Sequence, residues 1–198
     1  METEMVFRIL LPVLIVAFIA HRGYYTRQRG QAESEVLKKR EDSMESMLAG
    51  VLGLAGLLAT IVYILSPDFM TVFALPLPTW VRWAGVGVAL VGFGLLQWAQ
   101  NTLGKSWSDT PRMMKEQKLI TSGPYRWIRH PIYTAFLLIL GSTLLISSNW
   151  MIGLAWGGMT LLETISRIAF EESLMIEYFG DQYREYMQRT GRLFPKVG

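Results

Sequence analysis

The sequence has no cysteine and only two histidines, His21 and His130. The first absence excludes disulfides, thiol nucleophiles and thiolate metal sites. The second excludes a histidine-rich metal centre, and no metal is expected. Charge is also scarce: 18% of the 198 residues are charged, against about 25% in an ordinary soluble domain. Hydrophobic residues make up 51% of the chain and are gathered into blocks. That distribution points to one helical domain, residues 1–198, embedded in a membrane. Net charge is only +3, so the placement of basic residues matters more than their excess, and no nucleic-acid partner is expected.

Five apolar stretches predict five membrane spans, at about 5–20, 47–65, 80–99, 132–148 and 151–168. Glu2 and Glu4 precede the first and the basic cluster follows it, the order of a retained anchor rather than a cleaved signal. Gly50, Gly53 and Gly56 recur at helical spacing in the second, where small residues let helices approach closely. Trp80 and Trp83 open the third at interface height. Gly85-Val-Gly87 has neither a preceding strand nor a third glycine in register, so it is assigned to helix packing rather than dinucleotide binding. Gly104-Lys105-Ser106 is similarly discarded as a phosphate loop, because Ala99 stands where the first glycine belongs. Asn149 and Trp150 leave only a tight turn between spans four and five, which makes them an antiparallel hairpin.

Lys and Arg concentrate in 22–46, 100–131 and 170–198, whereas 66–79 and 149–150 contain none. The positive-inside bias then puts the N-terminus outside and the C-terminus in the cytoplasm, with the three basic segments on one face. Segment 21–46 reads as a solvated loop with a helical piece whose basic residues can touch anionic lipid headgroups. In the tail, Asp181 is expected to cap a short helix through Arg189. Leu174, Phe179, Tyr183, Tyr186 and Met187 can pack that tail on the membrane surface or on the segment before span four.

Chemistry concentrates in two places. Ser122-Gly-Pro-Tyr-Arg-Trp-Ile-Arg-His-Pro-Ile-Tyr133 crowds cationic and aromatic groups at the mouth of span four. Ionisable groups there are expensive and read as functional. Pro131 suits a first helical turn, the helix N-terminus suits an anion, and Tyr125, Trp127 and Tyr133 can stack on a ring or attract a cation. The plain alternative is an interfacial aromatic belt with basic residues on lipid phosphate. Arg167, Glu171 and Glu172 form the second place. Arg167 and Glu171 are four apart and can pair along a helix, either as an ordinary surface salt bridge or to aim a planar guanidinium at a substrate carboxylate.

Gly123-Pro-Tyr-Arg-Trp-Ile-Arg-His-Pro-Ile-Tyr133, a hairpin, and Arg167-Ile-Ala-Phe-Glu-Glu172 together resemble the isoprenylcysteine carboxyl methyltransferase family of integral membrane enzymes. Leu103-Gly-Lys-Ser-Trp-Ser108, Glu177-Tyr-Phe-Gly-Asp-Gln-Tyr183 and Thr190-Gly-Arg-Leu-Phe-Pro195 are similar to its short prokaryotic members. The resemblance covers the chain from about Leu103 onward. It implies an all-α membrane fold with a cytoplasmic pocket for S-adenosylmethionine, built from the span 3–4 loop and the tail, and S-adenosylhomocysteine as product. Lys118, Leu119, Ile120, Tyr125, His130, Pro131 and Tyr133 would line that pocket and Glu171 or Glu172 would close it from the tail side, with Arg167 and Glu171 where cofactor and acceptor meet. The implied acceptor is the C-terminal carboxylate of an isoprenylated cysteine, entering from the bilayer among membrane lipids. Two other readings stay open on the residues: transfer to a phospholipid amine or another small lipophilic acceptor, and a non-catalytic membrane protein that binds lipid or a partner.

Overall fold

A computed structural model describes residues 2–29, 36–39, 44–104, 112–114 and 119–196. Seven helices run through them: α1 (Glu2–Arg29), α2 (Met44–Leu65), the single turn α3 (Pro67–Met70), α4 (Thr79–Leu103), α5 (Pro131–Ser147), α6 (Trp150–Phe179) and α7 (Asp181–Arg189). The apolar blocks become helices because a backbone in lipid must satisfy its own hydrogen bonds. Thr3–Arg27, Met47–Leu65 and Thr79–Leu103 are long and apolar enough to cross a membrane, and Pro131–Ser147 is a shorter apolar helix.

The expected fifth stretch, 151–168, is only the first part of α6, which continues without a break to Phe179. Between Gly158 and Gly180 there is no glycine or proline to stop it. The change from apolar to charged residues near Arg167 alters the solvent, not the backbone. At 1.5 Å per residue the helix is roughly 45 Å long, against a hydrocarbon layer of about 30 Å. Its last turns, with Glu171 and Glu172, therefore project beyond the apolar part of the bundle.

The helix at the centre is α5. It packs on α4, α6 and α1, and none of its residues is exposed. Its Ile139, Leu140 and Ile146 join Phe7 and Leu11 of α1, Leu96 of α4 and Trp156 of α6 in one core. The large apolar residues left exposed, such as Val13, Leu54, Leu90 and Leu161, lie on the outer helices, as lipid-facing positions should.

Glycines set the helix spacing. A Cβ on Gly92 would stand 2.7 Å from Ile139 Cγ1 and 3.2 Å from the Ala135 carbonyl, and one on Gly85 would stand 2.7 Å from Leu145 Cβ. Gly53 and Gly56 likewise face Met159 and Trp156 of α6. Of the glycines expected to pack helices, Gly50 and Gly87 face open space.

At the far end, Arg82 is buried inside the third span. Its Nε donates to the Ile146 carbonyl at 3.0 Å, its guanidinium pairs with Glu4 and reaches Tyr63 Oη at 3.2 Å, and it covers the Phe7 ring at 4.0 Å. One side chain thus ties α1, α2, α4 and α5 together. The 66–79 segment is stitched to the hairpin turn: Leu75 N donates to Ser148 O at 2.7 Å and Asn149 Nδ2 to Met70 O at 3.1 Å. Asn149 also caps α6, accepting from Met151 N and Ile152 N. This is the tight hairpin the sequence predicts.

At the near end, β1 (Val36–Lys39) pairs antiparallel with β2 (Arg112–Met114). Nothing in the residue pattern announces these strands. They join the 22–46 and 100–131 segments, so these two basic segments meet at one end, as expected.

Gly92→Ala should lose about 1–3 kcal/mol of stability, because the new methyl cannot displace a backbone carbonyl. Gly87→Ala, with open space at the same helix, should be neutral or slightly stabilising. Thermal unfolding of the two purified variants beside the wild type checks the contrast, and equal melting temperatures would refute it.

Candidate active site

Along α6 every fourth residue from Trp156 is buried: Trp156, Thr160, Thr164, Ile168 and Glu172. The last of these puts a carboxylate on the inward stripe. A buried charge persists only when paired and hydrogen-bonded. Glu172, 3% exposed, has two guanidinium partners. Arg129 Nε lies 2.8 Å from one oxygen, and Arg192 places Nε at 2.9 Å and Nη2 at 2.7 Å from the other. Burial alone would raise the Glu172 pKa, but His130, Arg129 and Arg192 hold it down at about 2.

Glu171, one residue earlier, turns about 100° away around the helix. It accepts a hydrogen bond from the Tyr133 hydroxyl. The His130 ring stands between the two acids, with Nδ1 3.5 Å from Glu171 and Nε2 3.5 Å from Glu172. These contacts are long for hydrogen bonds and act as ion-pair contacts. Burial opposes a charge on His130, but the two carboxylates outweigh it and raise its pKa above the ordinary histidine value. The ring also stacks on Tyr133 at 5.7 Å.

His130 sits immediately before α5, with Pro131 at the first helical position as expected. The C-terminal tail holds it there. Gly191 N donates to Trp127 O at 3.1 Å, Arg129 N to Gly191 O at 2.8 Å and His130 N to Arg192 O at 3.0 Å. Thr134 Oγ1 donates to Leu193 O at 2.7 Å. The tail folds so tightly after Gly191 that a Cβ there would lie 1.8 Å from the Phe194 carbonyl. Arg129 completes the clasp: its Nη1 donates to the Met187 and Thr190 carbonyls, within and just after the last turn of α7, where carbonyls lack helical partners.

Of the two surfaces expected for the tail, α7 packs on the segment before α5. Tyr183 and Tyr186 are buried, and Tyr186 Oη donates to Tyr125 O at 2.6 Å. Burial pushes the Tyr186 hydroxyl up to about 12, so it remains a neutral donor. The short helix ends at Arg189 as expected, but Asp181 does not cap it. Gly180, with φ of 56°, occupies the cap position, and the Asp181 carboxylate instead bonds Arg184 at 2.8 Å. The chain must turn sharply between α6 and α7, and only Gly180 has the backbone freedom to do so.

Arg167 Nη2 lies 3.4 Å from Glu163, one turn back, and its charge acts on the Tyr133 hydroxyl. Beside Tyr133 a cleft opens between α1, α5 and α6, lined by Phe18, Arg22, Phe136, Glu163 and Thr164.

The structure thus brings together His130, Pro131, Tyr133, Arg167, Glu171 and Glu172, with Tyr125 supporting α7 from below. Leu119 and Ile120 are half-buried upstream of this group. Lys118 lies outside the described residues, as do Lys105 to Ser108. Sequence reasoning did not single out Arg129, Arg192 or Thr164. The signal for the arginines was available: an acid in register with four buried α6 residues requires cations nearby.

The sequence model of the isoprenylcysteine carboxyl methyltransferase family matches residues 85–177. Over these residues the chain is similar to that family. The match starts within α4, earlier than the resemblance in the motifs, and stops before α7 and the tail. Arabidopsis thaliana protein-S-isoprenylcysteine O-methyltransferase B is 31% identical over 120 residues, 60% of this chain and 61% of that protein. The Tribolium castaneum protein-S-isoprenylcysteine O-methyltransferase is 30% identical over 120 residues, 60% of this chain and 43% of that protein. Methanethiol S-methyltransferase 1 of Bradyrhizobium diazoefficiens is 32% identical over 103 residues, 52% of this chain and 33% of that protein. The chain therefore spans about three fifths or less of the curated relatives it matches. A solved structure of the eukaryotic intramembrane Ras methyltransferase, isoprenylcysteine carboxyl methyltransferase, superposes with a TM-score of 0.58 at 25% identity, covering 80% of this chain and 55% of that one. Apolar helices and an intramembrane relative of the same fold make this a helical membrane protein.

The two shifted groups give stability opposite pH flanks. Glu172 is depressed, so its contribution is full above its unfolded value of 4.5 and is lost as pH falls toward about 2. His130 is raised, so its contribution is full below 6.5 and is lost as pH rises through its higher folded value. The Glu172 flank is on the order of 3 kcal/mol. Unfolding measured from pH 7 to pH 2 should show Glu172→Gln less stable throughout but flatter below 4.5 than wild type. Parallel curves would remove Glu172 from the linkage.

Proposed function

We propose that the protein transfers a methyl group from S-adenosylmethionine to the C-terminal carboxylate of an isoprenylated cysteine. The observation that carries this reading is the convergence of His130, Tyr133, Glu171 and Arg167 beside a cleft between apolar helices. A water-soluble cofactor can approach such a site from the polar end and a lipophilic acceptor from the bilayer. The family and its similar methyltransferases support the reaction class.

The donor set fits the cofactor. S-adenosylmethionine supplies a methyl group on a positively charged sulfur. Glu171 offers a carboxylate to its ammonium or ribose hydroxyls, and Tyr125 and Tyr133 offer aromatic faces. By helix geometry the Ile132 and Tyr133 N–H groups at the start of α5 lack helical partners and suit its carboxylate. Leu119, Ile120 and Pro131, with Lys118, complete the proposed lining, and Glu172 closes the pocket indirectly by holding His130 and the tail. Five spans, the N-terminus outside and a cytoplasmic site form part of the same proposal; the meeting of the basic segments at one end supports it.

The residues have a limited chemical task. An acceptor carboxylate is already ionised at neutral pH, so no strong base is needed. Arg167 orients it, and Glu163 draws off part of the guanidinium's field so that the oxygen stays nucleophilic. Tyr133, fixed by Glu171, borders the reacting atoms and excludes water. Holding the reactants in line supplies roughly 7–11 kcal/mol at best.

A second reading, a small thiol or amine acceptor, is favoured by the similarity to a methanethiol S-methyltransferase. Such acceptors must lose a proton, so their rate would climb with pH, unlike that of a carboxylate. A non-catalytic lipid-binding protein would bind no cofactor.

Calorimetry with S-adenosylhomocysteine, followed by methyl transfer to N-acetyl-S-farnesylcysteine, tests the proposal. His130→Ala should weaken cofactor binding at least about tenfold. Arg167→Ala should lower kcat by about a hundredfold while leaving cofactor affinity nearly unchanged. Full turnover in both variants would sink the site assignment. Binding without transfer would move the acceptor to the second reading.

A further inference from the structure

Arg8 stands inside the first membrane span, little more than one turn past its start at Thr3. Ionisable side chains in such a place are costly and read as functional, and methyl transfer at the near end has no use for this one. Helical side chains lean toward the N-terminus, so the guanidinium reaches back toward the far end of the bundle. There its Nε lies 3.9 Å from Glu4 Oε1, one turn earlier, and its Cζ lies 5.9 Å from the centre of the Tyr63 ring. At that separation the carboxylate is out of hydrogen-bond range. The Nε is covered by protein yet has no hydrogen-bond partner, while 31% of the side chain remains exposed.

The acid beside Arg8 is already engaged. Glu4 accepts from the Tyr63 hydroxyl at 3.1 Å and from two nitrogens of Arg82. Asp68, exposed on α3 at the same end, pairs with neither arginine among the described residues. Two guanidinium groups therefore share one carboxylate, and Arg8 is the one left over. Arg8, Arg82 and Glu4 together carry one uncompensated positive charge at the edge of the apolar layer, where an unpaired ion is costly. The planar fork of a guanidinium suits the paired oxygens of a phosphate. A phospholipid phosphodiester meets the depth as well as the charge, because it sits where water gives way to acyl chains, within reach of an arginine one turn inside a span. Ile9 and Ile64, next to Arg8 and Tyr63, are exposed and apolar, as a place for acyl chains requires. A soluble phosphate would meet the charge but not that apolar surround.

We propose that Arg8, beside Tyr63 where α1 meets α2, holds the phosphodiester of one phospholipid in the leaflet at the far end. With phosphate on Arg8, Glu4 is left to Arg82 and Tyr63. The bound lipid then reinforces the contacts through which Arg82 reaches the Ile146 carbonyl and holds the end of α5. The site lies at the opposite end of the bundle from His130 and Glu171 and does not rest on the methyl-transfer reading.

The test uses the full chain in a neutral maltoside detergent. It is titrated with dioleoylphosphatidylglycerol, with a glucosyl dioleoylglycerol that has the same chains and no phosphate, and with inorganic phosphate. Native mass spectrometry counts bound lipid, and thermal unfolding reads its effect. Wild type should hold one phosphatidylglycerol tightly and melt at a higher temperature as it binds. The glycolipid and inorganic phosphate should bind at least about tenfold more weakly. Arg8→Gln should lose about tenfold in phosphatidylglycerol affinity and most of the rise in melting temperature. Arg184→Gln, which removes an exposed cation on α7, should lose neither. Unchanged lipid affinity in Arg8→Gln, equal losses in the two variants, or equal binding of the glycolipid overturns the site. Saturation by inorganic phosphate alone overturns the lipid as occupant. If Arg8→Gln does not fold, Arg8→Lys decides: it keeps the charge without the planar fork and should bind the lipid severalfold more weakly, and affinity equal to wild type refutes the proposal.

Discussion

A carboxylate placed inside the protein, away from water, dominates the near end of this bundle. Glu172 lies in register with the buried row of α6, where its charge would be intolerable alone. Arg129 and Arg192 come from segments 43 and 20 residues away in sequence. To supply them, the chain must bring the start of α5 and the C-terminal tail onto the same face of α6. The tail's backbone bonds to 127–130 and the docking of α7 follow from that demand. Local order is thus set by an electrostatic requirement rather than by apolar burial, which is weak here because lipid already solvates the helices.

The far end solves a matching problem with one residue. Arg82 neutralises Glu4 and covers the Ile146 carbonyl near the end of α5, where helical carbonyls lack partners. The central helix is therefore held at both termini, by Arg82 at one and by the Arg192 carbonyl on His130 N at the other. Between them it is enclosed and packed through glycines. Such a helix has little freedom to shift along its axis, so His130 and Tyr133 at its start keep their position relative to Glu171 on α6. Positioning chemistry needs a site of this rigidity.

Much of this was legible in the residues. Proline before an apolar run marked the start of α5, two polar residues between apolar runs marked the hairpin, and glycines at helical spacing marked close contacts. What escaped detection has specific physical causes. The length of α6 was missed because polarity was read as a boundary, although a helix ends only where its backbone is broken. Asp181 was read as a cap because the turn at Gly180, which takes over that position, depends on a positive φ that composition does not announce. Arg192 carries no local signal of its own, since its role depends on a tail folding back across more than one element.

The adjacent acids show why residue type underdetermines role. A step of about 100° around a helix separates Glu171 from Glu172. It is enough to bury one among arginines at 4% side-chain exposure and leave the other beside Tyr133 at 27%. Glu172 has both oxygens engaged by guanidinium groups, one by Arg129 and the other by two nitrogens of Arg192. Glu171 is engaged by one hydroxyl and one distant imidazole nitrogen, so its acceptor capacity remains largely open. His130 lies between them and links the two environments: the charge that stabilises the clasp also orients the ring that stacks on Tyr133. A pair of identical residues therefore divides into one that builds the site and one that serves it, and the division is made by the helix alone.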